Sequence, residues 1–247
     1  MFRLKKFFKN FISFYNIMHT LVLLRHGESQ SNQDNLFTGW SDVDLTEKGA
    51  KEAKNSGILL KKHNYQFDKI YTSVLKRAVK TMDLCLNEIE QNNIPIVYDW
   101  RLNEQHYGDL EGLNKSETVK LHGEEKVFNW RRSFNVSPPP LALNDKRHPR
   151  FDNRYKKLSD LEIPSTESLK DTLNRLLPIW NQDIAPFIKS GKNALIVAHG
   201  NSLRALIKYL NNISDEDISN FNIPTGIPLV LRLNNDLNTT QFFFLDS

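Results

Sequence analysis

The stretch LVLLRHGESQSN, Leu21 to Asn32, constrains this chain more than any other. Four consecutive apolar residues leave no polar face. A strand reads this way when both faces of its sheet are covered. The run stops abruptly at Arg25, His26 and Gly27. A buried strand that delivers an arginine and a histidine at its C-terminal end puts them where open α/β sheets bind ligands.

The rest of the chain alternates in kind. LTEKGAKEAKNSGILLKKH predicts a helix with Thr46 as N-cap. FDKIYTS predicts a second strand, VLKRAVKTMDLCLNEIEQ a helix with apolar positions three to four apart, and IPIVYD a third strand. STESLKDTLNRLLPIWNQDIAPFI predicts one long helix, begun at Thr166 and Glu167 and kinked at Pro178. KNALIVAHG is a fourth strand, followed by the helix SLRALIKYLNN. IPLVLRL and TQFFFL, separated by NNDLNT, predict a closing hairpin. Strands alternating with helices imply a three-layer α/β/α fold with a mainly parallel central sheet. Between Asp109 and Ser165 the alternation gives way to polar, proline-rich sequence that includes SPPP. This reads as an insert over the C-terminal strand ends, inside a single catalytic domain of residues 20–247. Loops of this length are usually functional.

Composition narrows the function class. A chain of 247 residues, 39% of them hydrophobic, can bury the core of a large α/β domain. The single cysteine, Cys85, excludes an intramolecular disulfide framework and points to a reducing, cytoplasmic setting. Its place in a predicted helix fits core packing. The net charge of +4 is matched by Arg3, Lys5, Lys6 and Lys9 in an acid-free N-terminus. The body therefore has no global basic face for nucleic acid. No segment approaches the ~20 apolar residues that span a bilayer. In the N-terminal segment, Leu4, Phe7, Phe8, Phe11, Phe14 or Tyr15, and Met18 fall near helical spacing. The plain reading of residues 1–19 is a flexible extension from an upstream start codon, with Met18 the more usual beginning. The alternative is an organelle-targeting or weakly membrane-contacting helix.

Three predicted strands lead to reactive residues. The first ends in Arg25-His26-Gly27, the second leads to Arg77, and the fourth ends in His199-Gly200-Asn201. In a parallel sheet all three groups meet on one rim. Arginine pairs bind phosphate bidentately and keep their charge. A histidine between them can attack phosphorus with a ring nitrogen, which splits one transfer into two. The second histidine and the arginines would hold the equatorial oxygens. Glycine after each histidine would let a ligand approach the backbone. Two histidines could also ligate a metal, but neighbouring arginines repel a cation.

Together, LVLLRHGES and IVAHGNSLR resemble the histidine phosphatase superfamily. Five more blocks resemble the cofactor-dependent phosphoglycerate mutases, in order. They are NLFTGWSDVDLTEKG, YTSVLKRAVKT, WRLNEQHYGDLEGLNKSET, WRRSFNVSPPP and NIPTGIPLVLRL. The resemblance runs from Leu21 to about Leu245. It implies that His26 is the phosphorylated nucleophile and that Arg25 and Arg77 clamp phosphate. It places Asn32, Thr38 and Gly39 on the phosphate pocket, with His199, Gly200 and Asn201 completing the cage. It makes Glu104 the general acid/base, and Tyr107 and Lys115 substrate contacts. Arg131 and Arg132 would hold the carboxylate or distal phosphate end. A carboxylate beside a doubly charged phosphate should have a raised pKa, which suits proton exchange at Glu104; taken alone, Glu104 would read as a surface acid.

The implied activity is interconversion of 3-phosphoglycerate and 2-phosphoglycerate in glycolysis and gluconeogenesis. The implied primer is 2,3-bisphosphoglycerate, with no metal and with a homo-oligomer, dimer or tetramer. Rival readings are a bisphosphoglycerate synthase/phosphatase, a broader histidine phosphatase, or a non-catalytic phosphate-binding module. Two departures from the family pattern bear on the choice. The sequence stops at QFFFLDS, where many members continue into a lysine-rich tail, so water access is expected to be greater. Ser31 also stands where the family typically carries tryptophan, beside Asn32.

Overall fold

The computed structural model describes residues 18–91 and 93–245. The readings made for residues 1–17 lie outside them. Six strands form one sheet: β1 (His19–Arg25), β2 (Lys69–Thr72), β3 (Ile96–Tyr98), β4 (Ala194–Ala198), β5 (Leu229–Leu233) and β6 (Thr239–Phe244). Their order is β3-β2-β4-β1-β5-β6. The first four are parallel; β5 and β6 add on antiparallel, as the closing hairpin requires.

β1 is central, and its two side-chain faces feed two cores. Leu21 and Leu23 pack with α6 (Leu169–Ile179), α7 (Ala185–Lys189) and α8 (Gly200–Asn211). Val22 and Leu24 pack with α2 (Glu47–Lys62) and α3 (Lys76–Ile89), where Met82 and Cys85 lie. All four β1 side chains are fully buried, which contributes roughly 1.5–3 kcal/mol each. Burial pushes the Cys85 thiol up to about 12, so it is an inert core residue. No described helix is long and apolar enough to cross a membrane.

The long-helix reading needs correction at both its start and its kink. The helix begins at Leu169, capped by Ser168, whose hydroxyl and backbone N–H pair with Asp171 in a capping box. Thr166 instead donates its hydroxyl to the Pro138 carbonyl. Glu167 is buried in an ion pair with Arg175. Pro178 sits inside α6, and the irregularity follows it as a π-helical turn, Trp180–Ile184, before α7. Pro178 has no N–H for the Asn174 carbonyl, so the regular ladder cannot run through.

None of the six strands comes from residues 99–193. Ahead of α6, this span holds α4 (Lys115–His122), α5 (Glu124–Arg132) and several short 3₁₀ turns. A small third core of Phe37, Tyr107, Leu110, Val127 and Trp130 packs α5 onto the loop after α1 (Gln30–Gln33). That packing brings Lys115 and Arg131 to the same cavity as Arg25 and His26, at the C-terminal end of β1.

Candidate active site

The register of the two central strands builds the floor of the site. Arg25 of β1 pairs with Ala198 of β4, and the His26 N–H donates to the Ala198 carbonyl at 3.0 Å. His26 and His199 therefore leave neighbouring strands at one level. Their rings lie 5.1 Å apart, tilted by 59°. The first turn of α3 supplies Arg77, which is 1% exposed. Its guanidinium donates to the carbonyls of Gly39 and Ser41 at 2.8 and 2.9 Å, and its Nε reaches His26 Nε2 at 3.3 Å. Arg25 Nη1 donates to the Ile223 carbonyl at 2.8 Å.

Hydrogen bonding selects the reactive nitrogen. His26 Nδ1 lies 2.7 Å from the Gly27 carbonyl, which can only accept, so Nδ1 carries the proton. Burial, then repulsion by Arg77 and Arg25, holds the His26 pKa well below its ordinary value. The ring is thus neutral near pH 7, with its lone pair on Nε2. Burial and Arg77 do the same to His199. His199 Nε2 is engaged by Ser73 Oγ at 2.7 Å, and its Nδ1 is buried without a partner.

Glu104 is not a surface acid; it is 8% exposed. Its Oε1 accepts the backbone N–H groups of Asn201 and Gln105, both at 2.9 Å. Oε2 lies on the side of Gly200, where an added Cβ would be 3.6 Å away. The Asn201 side chain donates to the Tyr107 hydroxyl at 2.8 Å.

These groups enclose a cavity of about 190 Å³. Among the described residues, six cationic side chains line it, Arg25, Arg77, Lys115, Arg131, Arg132 and Arg204, against the single acid Glu104. Burial and mutual repulsion show in their pKa values. Lys115 is lowered to about 8 by burial, then by Arg131 and Arg25. Arg132 is lowered by burial and its arginine neighbours. So much positive charge beside one carboxylate suits a ligand with several negative charges.

His26, Arg25, Asn32, Thr38, Arg77, Glu104, Tyr107, Lys115, Arg131, Arg132, Gly200 and Asn201 all line the cavity. Gly39 and His199 do not. Gly39 takes φ +51° and serves through its carbonyl, which holds Arg77. His199 is fully buried next to His26. Arg132 commits Nε and Nη2 to the carbonyls of Ser219 and Phe221, so its fork is partly engaged by backbone. Ser31 is buried, and Asn32 beside it still reaches the cavity. One reading is corrected: Gly27 does not serve ligand approach. A Cβ there would lie 2.2 Å from the Gly49 carbonyl, so glycine is required by the close passage of α2.

Sequence reasoning did not pick out Arg204, Asn222, Ile223 and Leu36, which also line the cavity. Arg204 was findable: it lies three residues beyond Asn201 on one helix face and donates to its side chain at 2.7 Å. Asn222 and Ile223 sit in irregular chain with no periodic signal.

The pH response of recognition follows from Lys115. A bound anion favours its ammonium form, so binding above pH 8 takes up a proton. We expect KM for a phosphorylated substrate to rise as pH passes 8, by up to about tenfold per unit, while Lys115→Met flattens that limb. KM measured from pH 7 to 9.5 checks this; a flat wild-type profile excludes it.

The family model described as "Histidine phosphatase superfamily (branch 1)" matches residues 21–144 and 140–244. A curated relative of Bacteroides thetaiotaomicron, named 2,3-bisphosphoglycerate-dependent phosphoglycerate mutase 2, is 54% identical over 228 residues, 92% of each chain. Among solved structures, a mycobacterial glucosyl-3-phosphoglycerate phosphatase complexed with VO3 superposes with a TM-score of 0.69 at 21% identity. The match covers 93% of this chain and 98% of that one. The alpha-ribazole phosphatase of Shigella flexneri gives 0.66 at 24% identity, over 92% and 96%. At these identities the two structures speak for the fold. A family model that spans nearly the whole described chain, with a relative identical at more than half of the aligned positions, places this chain in the histidine phosphatase superfamily.

Proposed function

We propose that this protein is a 2,3-bisphosphoglycerate-dependent phosphoglycerate mutase, which interconverts 3-phosphoglycerate and 2-phosphoglycerate through a phosphohistidine. The activity belongs to glycolysis and gluconeogenesis. The observation that carries the reading is a neutral His26 with its Nε2 lone pair in a six-cation cavity that holds one acid. The 54%-identical mutase supports it.

In the proposed cycle, His26 Nε2 attacks a phosphorus of the bisphosphate primer. The P–O bond breaks, and the departing oxygen takes a proton from the Glu104 carboxylic acid. The monophosphate leaves, and a second one binds. Its free hydroxyl gives its proton to the Glu104 carboxylate and attacks the phosphohistidine, which regenerates bisphosphate. Reorientation lets the other phosphate return to His26. Arg25 and Arg77 hold the transferring oxygens, with the unpartnered Nδ1 of His199, packed behind His26, the one group on that ring left to complete the cage, while Lys115, Arg131 and Arg132 receive the remaining anionic end. Asn32 and Thr38 face the phosphoryl group, and the arginines supply the charge compensation.

A paired assay tests this. Labelled bisphosphoglycerate should phosphorylate His26, and conversion of 3-phosphoglycerate should depend on added bisphosphate and outrun release of inorganic phosphate. Phosphate release as fast as conversion would instead support a phosphatase. Absence of label would support a phosphate-binding module.

A further inference from the structure

We propose that Arg175 is a positioning residue for proton exchange at Glu104, acting through the backbone of residues 100–104. This rests on the reading of Glu104 as acid/base given above.

Glu104 sits between two 3₁₀ turns, Trp100–Leu102 and Gly108–Leu110. No strand ladder or α-helix fixes its main chain, so something else must. Arg175 of α6 supplies that restraint from behind, outside the cavity. Its Nη1 donates to the carbonyls of Trp100 and Arg101 at 3.2 and 2.8 Å. Its Nη2 donates to those of Asn103 and Glu104 at 3.3 and 3.2 Å. One guanidinium thus gathers four carbonyls of the five-residue segment that ends in the acid.

The fork is itself locked. Arg175 Nε and Nη2 meet the two oxygens of Glu167 at 2.6 and 2.8 Å, with both side chains almost wholly buried. The guanidinium carbon lies 5.4 Å from the Trp40 ring centre, and Trp40 Nε1 donates to the Glu104 carbonyl at 2.7 Å. Glu167 also holds the far side of the loop. Its Oε2 accepts the His106 N–H at 2.9 Å, and its carbonyl accepts from Gln105 Nε2 at 2.6 Å. One buried ion pair therefore spans residues 100–106. A planar fork is needed because a lysine ammonium concentrates three donors at one point and cannot reach four carbonyls and a carboxylate.

The test is Arg175→Lys, which keeps the charge beside Glu167 and loses the fork. A shift of Glu104 by about 1 Å relative to the reacting oxygen should cost about 10- to 100-fold in kcat for interconversion. KM should stay within about threefold, because no anion-binding side chain has moved. The discriminating readout is the leaving group. Transfer to His26 from p-nitrophenyl phosphate, whose leaving group is weakly basic, needs little general acid. Its rate in the variant should stay within about threefold of wild type. Glu167→Gln keeps one accepting oxygen but sets an amide N–H₂ against groups that also donate and removes the counter-charge of Arg175; it should loosen the same loop, show the same pattern, and serves if Arg175→Lys does not fold. Equal losses with both donors, or full activity with the bisphosphate, would overturn the inference. A wild-type protein that takes no phosphate at His26 from either donor would overturn the mutase reading itself, which is a separate result.

Discussion

Replacing His26 by alanine is expected to lower mutase turnover by at least about 10⁴-fold and to abolish labelled phosphoenzyme. The size of the effect follows from what remains. Arg25, Arg77 and Lys115 can still gather phosphate, yet among the described residues no other imidazole lines the cavity. His199 is the nearest imidazole, but it is fully buried and its Nε2 is engaged by Ser73. Anion binding should survive, because the six cationic side chains remain. Steady-state assays with a phosphorylation gel decide the point. Retained turnover would remove His26 from the mechanism.

Glu104→Gln is expected to lower kcat in both directions by about 10²- to 10³-fold. The amide is nearly isosteric, and its oxygen can still accept the Asn201 and Gln105 N–H groups. What is lost is the proton that the departing oxygen needs. KM should fall at the same time, because the substitution removes the only carboxylate from a lining of six cations. A loss of kcat joined to a lower KM separates lost proton exchange from general damage, which would raise KM. Rates unchanged for the natural substrates would end the acid/base assignment.

Much of this site was legible because the chain writes strands and their C-terminal residues contiguously. LVLLRHG and ALIVAHG each carry a buried strand and its reactive turn, so a parallel sheet was enough to bring His26 and His199 together. The insert was harder to read. Its positioning depends on a small aromatic and aliphatic cluster, with Phe37 on one side and Trp130 on the other, far apart in sequence. No local pattern announces such a contact. The capping failure at Thr166 and Glu167 has the same origin. Ser168 with Asp171 was an equally valid signal, and tertiary pairing of Glu167 with Arg175 decided between them. Arg204 could have been paired with Asn201 from their spacing alone, but its second contact, to the Arg132 carbonyl 72 residues away, has no local signal.

The division between central strands and the segment over them has an evolutionary consequence. The two imidazoles are anchored in β1 and β4, while Lys115 and Arg131 belong to elements outside the sheet. Chemistry and choice of anion are therefore inherited on separate pieces of chain. Drift in residues 109–165 can retune which phosphate ester is admitted without disturbing the register that makes phosphorus transfer possible, so a new specificity can arise here without rebuilding the catalyst.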